Sequence, residues 1–470
     1  MINKHYLYLL LLFLCLISRI LTSIFYIEDI DSLRFAYSIV EEYNILKLQP
    51  HFPGYIVFCF IANILYNLIG NIGLTFSLIG GFSVYLIIIY SLKILKYNIE
   101  TLESLFFISI VFFNPMFWIM SNRYMPDLMG LAFFIISFYF ISNSNNRYTK
   151  IGGFIAGLLC GIRISYFPLL IIIFIQKLIY SKSRIIFLNY FFIGILIWLI
   201  PLIYITGFNN LILVAIKHTL GHFNDYGGTI ITESDWITRF KYFFHTIWSD
   251  GLGGYWYGRN NITILSSIIL LSLILTSINN FKIIIKNINI RNLILASLFY
   301  IAWILFFQNI IYKSRHVMPL ILVLLILFSK SYKNIFVNKI KLKKVYLLFT
   351  VLIISTITIS LSIQHKKPTA INKLSQYLIN QKRSVTIISI PLINYYLKSQ
   401  NINANYIDID NENKVPNINL TKLDSNIVVI GDFIEIIESD FVVEFDTTFY
   451  HNPYVNRMWS SINLYSNRKL

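Results

Sequence analysis

Five acids fall within fifteen residues near the start of the chain: Glu28, Asp29, Asp31, Glu41 and Glu42. A Pro-His-x-Pro-Gly-Tyr box, Pro50 to Tyr55, follows them. In a chain that is 13% charged and 56% hydrophobic, this is a concentrated polar stretch. A carboxylate within reach of an acceptor hydroxyl can take its proton as the oxygen attacks. Arginines can stabilise the charge that grows on the oxygens of a leaving phosphate, through forked hydrogen bonds. Arg123, Arg163, Arg259 and Arg315 are the arginines that recur at the ends of apolar runs, in company with His51, Asp127, Asp250 and His316. Asp29-Ile-Asp31 is an Asp-x-Asp string and could hold a divalent cation. No further ligand set accompanies it, and no other cofactor is implied.

The elements that must position these residues are membrane helices. Mean hydropathy is +0.66, and many apolar runs approach 20 residues. The runs do not alternate as barrel strands do. The first spans about Tyr6 to Phe25 and carries Arg19, which should snorkel or meet an anionic partner such as a lipid phosphate. Lys4 before it and the acids after it predict a cytoplasmic N-terminus and an acidic loop outside. Gly54 to Ile69 spans only about 24 Å at 1.5 Å per residue, so it is read as lying in the outer interface. The first outer loop then runs over 26–71. Later crossings are Gly73–Leu92, Leu105–Met120, Leu128–Ile141, two short helices within Ile151–Leu178 with Arg163–Tyr166 at their apex, Ile185–Ile205, Ile262–Ile278, Leu293–Ile311, Val317–Phe328 and Val345–Ile363. A long polar outer loop is expected over 207–260, with the run SDGLGGYWYGR at its end.

Charge placement supports that arrangement. The net charge is +17, but Lys and Arg sit in short links between apolar runs, above all in the six lysines of Lys330 to Lys344. The positive-inside rule assigns those links to the cytoplasm, and anionic lipid rather than nucleic acid is their partner. Cys15, Cys59 and Cys160 lie in apolar runs without metal spacing and read as small buried residues. Beyond about Lys366 the composition becomes that of a soluble domain. Val385–Ile390 and Asn426–Asp432 read as buried strands, with Pro391–Ser399 a helix between them. The expected architecture is thus a polytopic α-helical bundle of about eleven crossings, 1–364, followed by a small extracytoplasmic α/β domain, 365–470.

In this arrangement Asp29, Asp31, His51, Arg123, Asp127, Arg163, Asp250, Arg259, Arg315 and His316 all fall on the outer face. A transporter would place polar groups near the midplane, often in two related halves. A one-sided cavity suits an enzyme whose lipid-linked substrate presents its head group at one leaflet. A lipid-linked sugar flippase and a non-catalytic scaffold of envelope assembly are the alternatives.

The residues also carry a resemblance. Asp31-Ser-Leu-Arg-Phe-Ala and Gln49-Pro-His-Phe-Pro-Gly-Tyr55 resemble the first-loop signature of bacterial GT-C-fold glycosyltransferases, the group related to protein O-mannosyltransferases and aminoarabinose transferases. Ser121-Asn-Arg-Tyr-Met-Pro-Asp127, Gly161-Ile-Arg-Ile-Ser165, Ser249-Asp-Gly-Leu-Gly-Gly254 and Ser314-Arg-His-Val-Met-Pro319 continue it in family order. Phe52 and Ile56 stand where the usual box has further prolines. The resemblance implies a GT-C bundle, a polyprenyl-phosphate sugar donor and a catalytic acid in the first outer loop. That acid maps to Asp31, with Asp29 as its rival, and Asp127 matches the second outer-turn acid. Arg123 and Arg163 stand where cations could hold the donor phosphate. The acceptor would be a glycan, lipid or protein hydroxyl, and the location the bacterial inner membrane.

Overall fold

A computed structural model describes residues 4–143, 145–337, 339–381, 385–409, 426–432 and 442–467. It divides into two compact units, one of residues 1–24 and 35–363 and one of residues 25–34 and 364–470.

The first unit is helical. In chain order its helices are α1 (Lys4–Leu21), the end of α2 (Ile30–Val40), α3 (Ile56–Ile69), α4 (Ile72–Leu95), α5 (Leu102–Phe112), α6 (Pro115–Asn122), α7 (Asp127–Ile141), α8 (Asn146–Arg163), α9 (Ile171–Tyr180) and α10 (Arg184–Thr206). They continue through α11 (Phe208–Gly221), α12 (Trp236–His245), α13 (Ile262–Asn279), α14 (Phe281–Ile284), α15 (Ile288–Phe307), α16 (Met318–Tyr332) and α17 (Ile340–His365). Among the described residues eight segments are long and apolar enough to cross a membrane, and the bent pair α5–α6 makes nine. The eleven expected crossings differ from these nine in two places: 146–180, expected as two crossings, forms one candidate span, and α7 is a shorter apolar helix. The chain is an integral membrane protein with a polytopic helical bundle.

Three local features differ from expectation. Leu105–Met120 is not one helix. Asn114 and Pro115 break it, and α5 and α6 meet at 51°. Proline cannot donate to the preceding turn, and the Asn114 side chain instead caps α6 through the Phe117 amide, 3.0 Å away. Second, Arg19 does not snorkel. It is fully buried, donates from Nη2 to the carbonyl of Phe112 at 2.7 Å, and lies over the rings of Trp118 and Phe112 at 3.8 and 4.6 Å. Thr358 Oγ1 donates to the next carbonyl, Phe113 O, at 2.5 Å. The two carbonyls at the end of α5 are thus satisfied by side chains inside the bundle, as lipid surroundings require. Third, the stretch 207–260 is largely helical. It holds α11, α12 and two π-helical turns, His222–Tyr226 and Thr246–Gly251. The first-loop stretch 26–71 likewise holds α2, a 3-10 turn at Ile45–Lys47 and α3.

The break expected within Ile151–Leu178 is present. A 3-10 segment, Ile164–Leu170, separates α8 from α9. Helices α8 and α10 pack backbone to backbone. A Cβ added to Gly157 would overlap Phe191 O and stand 2.8 Å from Gly194 Cα, and one added to Gly194 would overlap Phe154 O. Trp198 Nε1 donates across the seam to Gly157 O at 3.0 Å. Small residues at i and i+4 allow this close approach, which drives association where no hydrophobic effect separates helix from lipid.

The second unit holds α18 (Ala370–Ile379), α19 (Pro391–Ser399) and a five-stranded mixed sheet. The strands are β1 (Val385–Ser389), β2 (Ala404–Asp408), β3 (Asn426–Ile430), β4 (Phe445–Tyr450) and β5 (Ser461–Ser466), in the order β2-β1-β3-β5-β4. β1 runs parallel to β2 and β3; β5 runs antiparallel to β3 and β4. Every residue of β1 and β3 is buried, as unbroken apolar strands in mid-sheet should be.

Candidate active site

In the second unit, Glu28, Asp29 and Asp31 are all buried, at 1%, 0% and 1% exposure. Asp29 immediately precedes α2. Its Oδ1 accepts the Ser32 amide at 2.8 Å, an N-terminal cap, and its Oδ2 accepts Asn456 Nδ2 at 3.0 Å. Asp31 lies in the first turn of α2, with Oδ1 3.9 Å from Arg34 Nη1. Glu28 Oε1 accepts His365 Nε2 at 2.6 Å, and both side chains are buried.

In the first unit a second polar centre forms where several helix ends meet. Asp127 opens α7 and is wholly buried. Arg163 closes α8, and its Nη2 stands 2.9 Å from Asp127 Oδ1. Arg315, in a 3-10 turn before α16, places Nε 3.7 Å from the same oxygen. Two guanidiniums therefore face one carboxylate, with exposures of 5% and 7%. The Arg163 guanidinium lies 5.7 Å from the ring of Tyr166 and 5.9 Å from that of Tyr55. Tyr300 packs edge-on against Tyr166 and donates to His316 O at 3.2 Å. Gly130, one turn into α7, lets α8 come close: a Cβ there would meet Arg163 Cβ at 2.7 Å. Sequence reading did not single out Tyr55, Tyr166, Tyr300 or Gly130 as part of this centre.

Arg123 is buried and follows α6 directly. His51 sits between two cis prolyl bonds, Gln49–Pro50 and Phe52–Pro53. It meets Tyr55 Oη through Nε2 at 3.1 Å and stacks on His218 of α11 at 5.5 Å. Gly54 has φ +93, and its carbonyl accepts Tyr43 Oη at 2.8 Å. That left-handed position is one that glycine adopts without strain. Asp250 is buried in the π-helical turn Thr246–Gly251. Arg259 donates from Nη1 to Ser249 O and, at 3.2 Å, to Ser249 Oγ, so it closes its own loop. Asn114 Nδ2 holds the same turn through Gly251 O at 2.7 Å. Among the described residues no three His, Cys, Asp or Glu side chains converge as metal ligands.

No family model matches the sequence, and no curated protein does. Solved structures do. ArnT from Cupriavidus metallidurans bound to undecaprenyl phosphate matches with a TM-score of 0.52 at 9% identity, over 98% of each chain. The apo form of ArnT from the same organism matches with a TM-score of 0.55 at 8% identity, over 98% of this chain and 97% of that one. At such identities the likeness concerns the fold, and it spans nearly all of both chains. The chain has a GT-C-type fold, the one its motifs implied.

Proposed function

We propose that this protein transfers a sugar from a polyprenyl-phosphate-linked donor to an acceptor hydroxyl at the outer face of the membrane. The observation that carries the reading is the buried pairing of Arg163 and Arg315 with one carboxylate, Asp127, in a bundle of this fold. Two guanidiniums that converge in a desolvated place suit a phosphate ester. The ArnT structure that shares the fold was solved with undecaprenyl phosphate. The lysine-rich link between α16 and α17 supports a cytoplasmic N-terminus, with the acids and the carboxy-terminal unit on the other side, in a bacterial plasma membrane.

The reaction is an inverting displacement. The acceptor oxygen attacks the anomeric carbon as the bond from that carbon to the phosphate oxygen breaks. The bonding pair leaves with the polyprenyl phosphate, and Asp31 takes the acceptor proton. Arg163, Arg315 and Arg123 stabilise the negative charge that grows on the phosphate oxygens. Asp127 fixes the guanidinium of Arg163. The acceptor is a glycan, lipid or protein hydroxyl.

A transfer assay on purified protein in detergent, with a panel of polyprenyl-phosphate sugars, tests this reading. Wild type is expected to turn over at least one donor. Asp31→Asn is expected to insert and fold normally and to lose transfer. Full activity in Asp31→Asn would remove Asp31 from the mechanism.

A further inference from the structure

The acid-bearing turn is bound into the carboxy-terminal unit by side chains more than 300 residues away in sequence. Residues 25–34, which include the start of α2, group with 364–470. Four consecutive residues are held. Tyr26 Oη donates to His365 O at 2.6 Å. Ile27 O accepts Tyr396 Oη at 2.7 Å. Glu28 O accepts Thr369 Oγ1 at 2.9 Å, while its carboxylate takes His365 Nε2 at 2.6 Å. Asp29 takes Asn456 Nδ2 at 3.0 Å. Tyr396, Thr369 and His365 are all 1% exposed or less, and Asn456 is 4% exposed.

The holders are themselves held. Asn456 Oδ1 accepts the Met458 amide at 3.0 Å, and its carbonyl pairs with His451 Nε2 at 2.8 Å. The Ala370 amide donates to His451 Nδ1 at 3.0 Å. That bond requires Nδ1 to be an acceptor, so the proton sits on Nε2 and points at Asn456 O. The chain of bonds thus runs from the start of α18 through His451 and Asn456 to Asp29, and from Asp29 Oδ1 into the first turn of α2. Asp31 is in that turn.

We infer that the carboxy-terminal unit is the device that aims Asp31, and that Glu28, Asp29, His365 and Asn456 are positioning residues. This rests on the reading of Asp31 as general base. Asp29 Oδ1 holds the first turn of α2 and Oδ2 holds Asn456, which gives Asp29 the work of a cap. A base must stand within hydrogen-bond reach of its proton, and a misplacement of about 1 Å can lower a rate by about a hundredfold. Loosening the turn should therefore lower kcat and leave the donor KM, which the arginines set, nearly unchanged.

The experiment uses full-length protein in detergent and two readouts. The first is hydrogen–deuterium exchange of the peptide covering 25–34, with peptides from α8 and α10 as internal controls. The second is kcat and donor KM beside wild type and Asp31→Asn. His365→Ala and Asn456→Ala are expected to raise exchange of 25–34 alone and to lower kcat about tenfold or more, with KM within about twofold. His365→Gln, which restores an N–H donor, is expected to recover most of the kcat. If His365→Ala unfolds the unit, Thr369→Val removes one bond only and should show the same pattern at smaller size. Unchanged exchange of 25–34 in the folded variants overturns the clamp whatever the enzymatic result. Raised exchange with wild-type kcat also overturns it, because the turn would then move without consequence. Wild-type transfer by Asp31→Asn instead overturns the assignment of the base, and the exchange data judge the clamp alone.

Discussion

Gly130→Ala separates a site held by close helix packing from one held only by its charges. Alanine is the better helix former by about 1 kcal/mol, so with free space the substitution in α7 would stabilise the protein. Space is lacking. The new Cβ would lie 2.7 Å from Arg163 Cβ and 3.3 Å from Arg163 Cγ and Tyr166 Cδ2. Ordinary contact starts at 3.4 Å, so the shortfall is 3.4 − 2.7 = 0.7 Å. Arg163 Cβ is fixed to its backbone, and α7 and α8 must part by roughly that distance. If the shift falls along the ion pair, the 2.9 Å separation of Arg163 Nη2 and Asp127 Oδ1 becomes about 3.6 Å, outside hydrogen-bond range. Overpacking of this kind costs about 1–3 kcal/mol, which outweighs the helix gain. If Arg163 holds the donor phosphate as proposed, a displacement just under 1 Å there should lower kcat/KM for the donor by about tenfold to a hundredfold. Thermal unfolding followed by tryptophan fluorescence and donor turnover measure the two effects. Gly258→Ala is the control: φ is +82 and nothing lies within 4 Å, so it adds backbone strain without a clash. A Gly130→Ala protein with higher melting temperature and wild-type kcat/KM would refute the packing argument. Lower stability with unchanged turnover would refute the link to Arg163.

Further outcomes follow from the same geometry. Asp127→Asn removes the anion 2.9 Å from the buried Arg163 and should destabilise by about 3–5 kcal/mol, seen as a large fall in melting temperature. Arg19→Met removes the donor to Phe112 O and should cost about 1–3 kcal/mol; an unchanged melting temperature would mean that another group satisfies that carbonyl. Burial lowers the pKa of His222, with Lys313 adding to the effect and the bond to Phe307 O at 3.0 Å opposing it. The folded state therefore resists a proton that the unfolded state binds, and stability should fall as pH drops below about 6.5. His222→Gln should flatten that part of the melting-temperature profile between pH 7.5 and 5.

Much of the bundle was readable because apolar length, lysine placement and glycine-proline breaks each have one dominant physical cause. The break at Arg163 to Leu170 is an example, and so are β1, α19 and β3. Other features were less direct. The Asn114-Pro115 pair is a helix-breaking signal, but it stands inside a run apolar enough to look continuous. Asp235, whose carboxylate accepts the Ile237 amide at 2.9 Å, marks the start of α12. The polar residues around it made 207–260 resemble a loop, although Asp235 caps a short helix and Arg239 within it is buried. Arg19 was expected to snorkel or to meet an anion because its partner is a main-chain carbonyl 93 positions away, which no side-chain pattern announces. The tie between residues 26–29 and the far end of the chain is illegible partly for the same reason, since the bonds from Tyr26, Tyr396 and Thr369 end on main-chain carbonyls, and partly because its side-chain pairs, Glu28–His365 and Asp29–Asn456, join positions 337 and 427 apart.

The glycine seam between α8 and α10 has a consequence for the surrounding lipid. With backbone against backbone at Gly157 and Gly194, the two helices have little freedom to slide past each other and should tilt as one body. α10 has 23 residues, about 34 Å at 1.5 Å each, which exceeds a hydrocarbon thickness of about 30 Å. Such a mismatch is relieved by tilt. Since Arg163 ends α8, its depth beneath the surface is coupled to the tilt of α10, and acyl-chain length becomes a variable of the reaction. Vesicles of graded lipid length should reveal an optimum in transfer rate, and widening the seam should blur it.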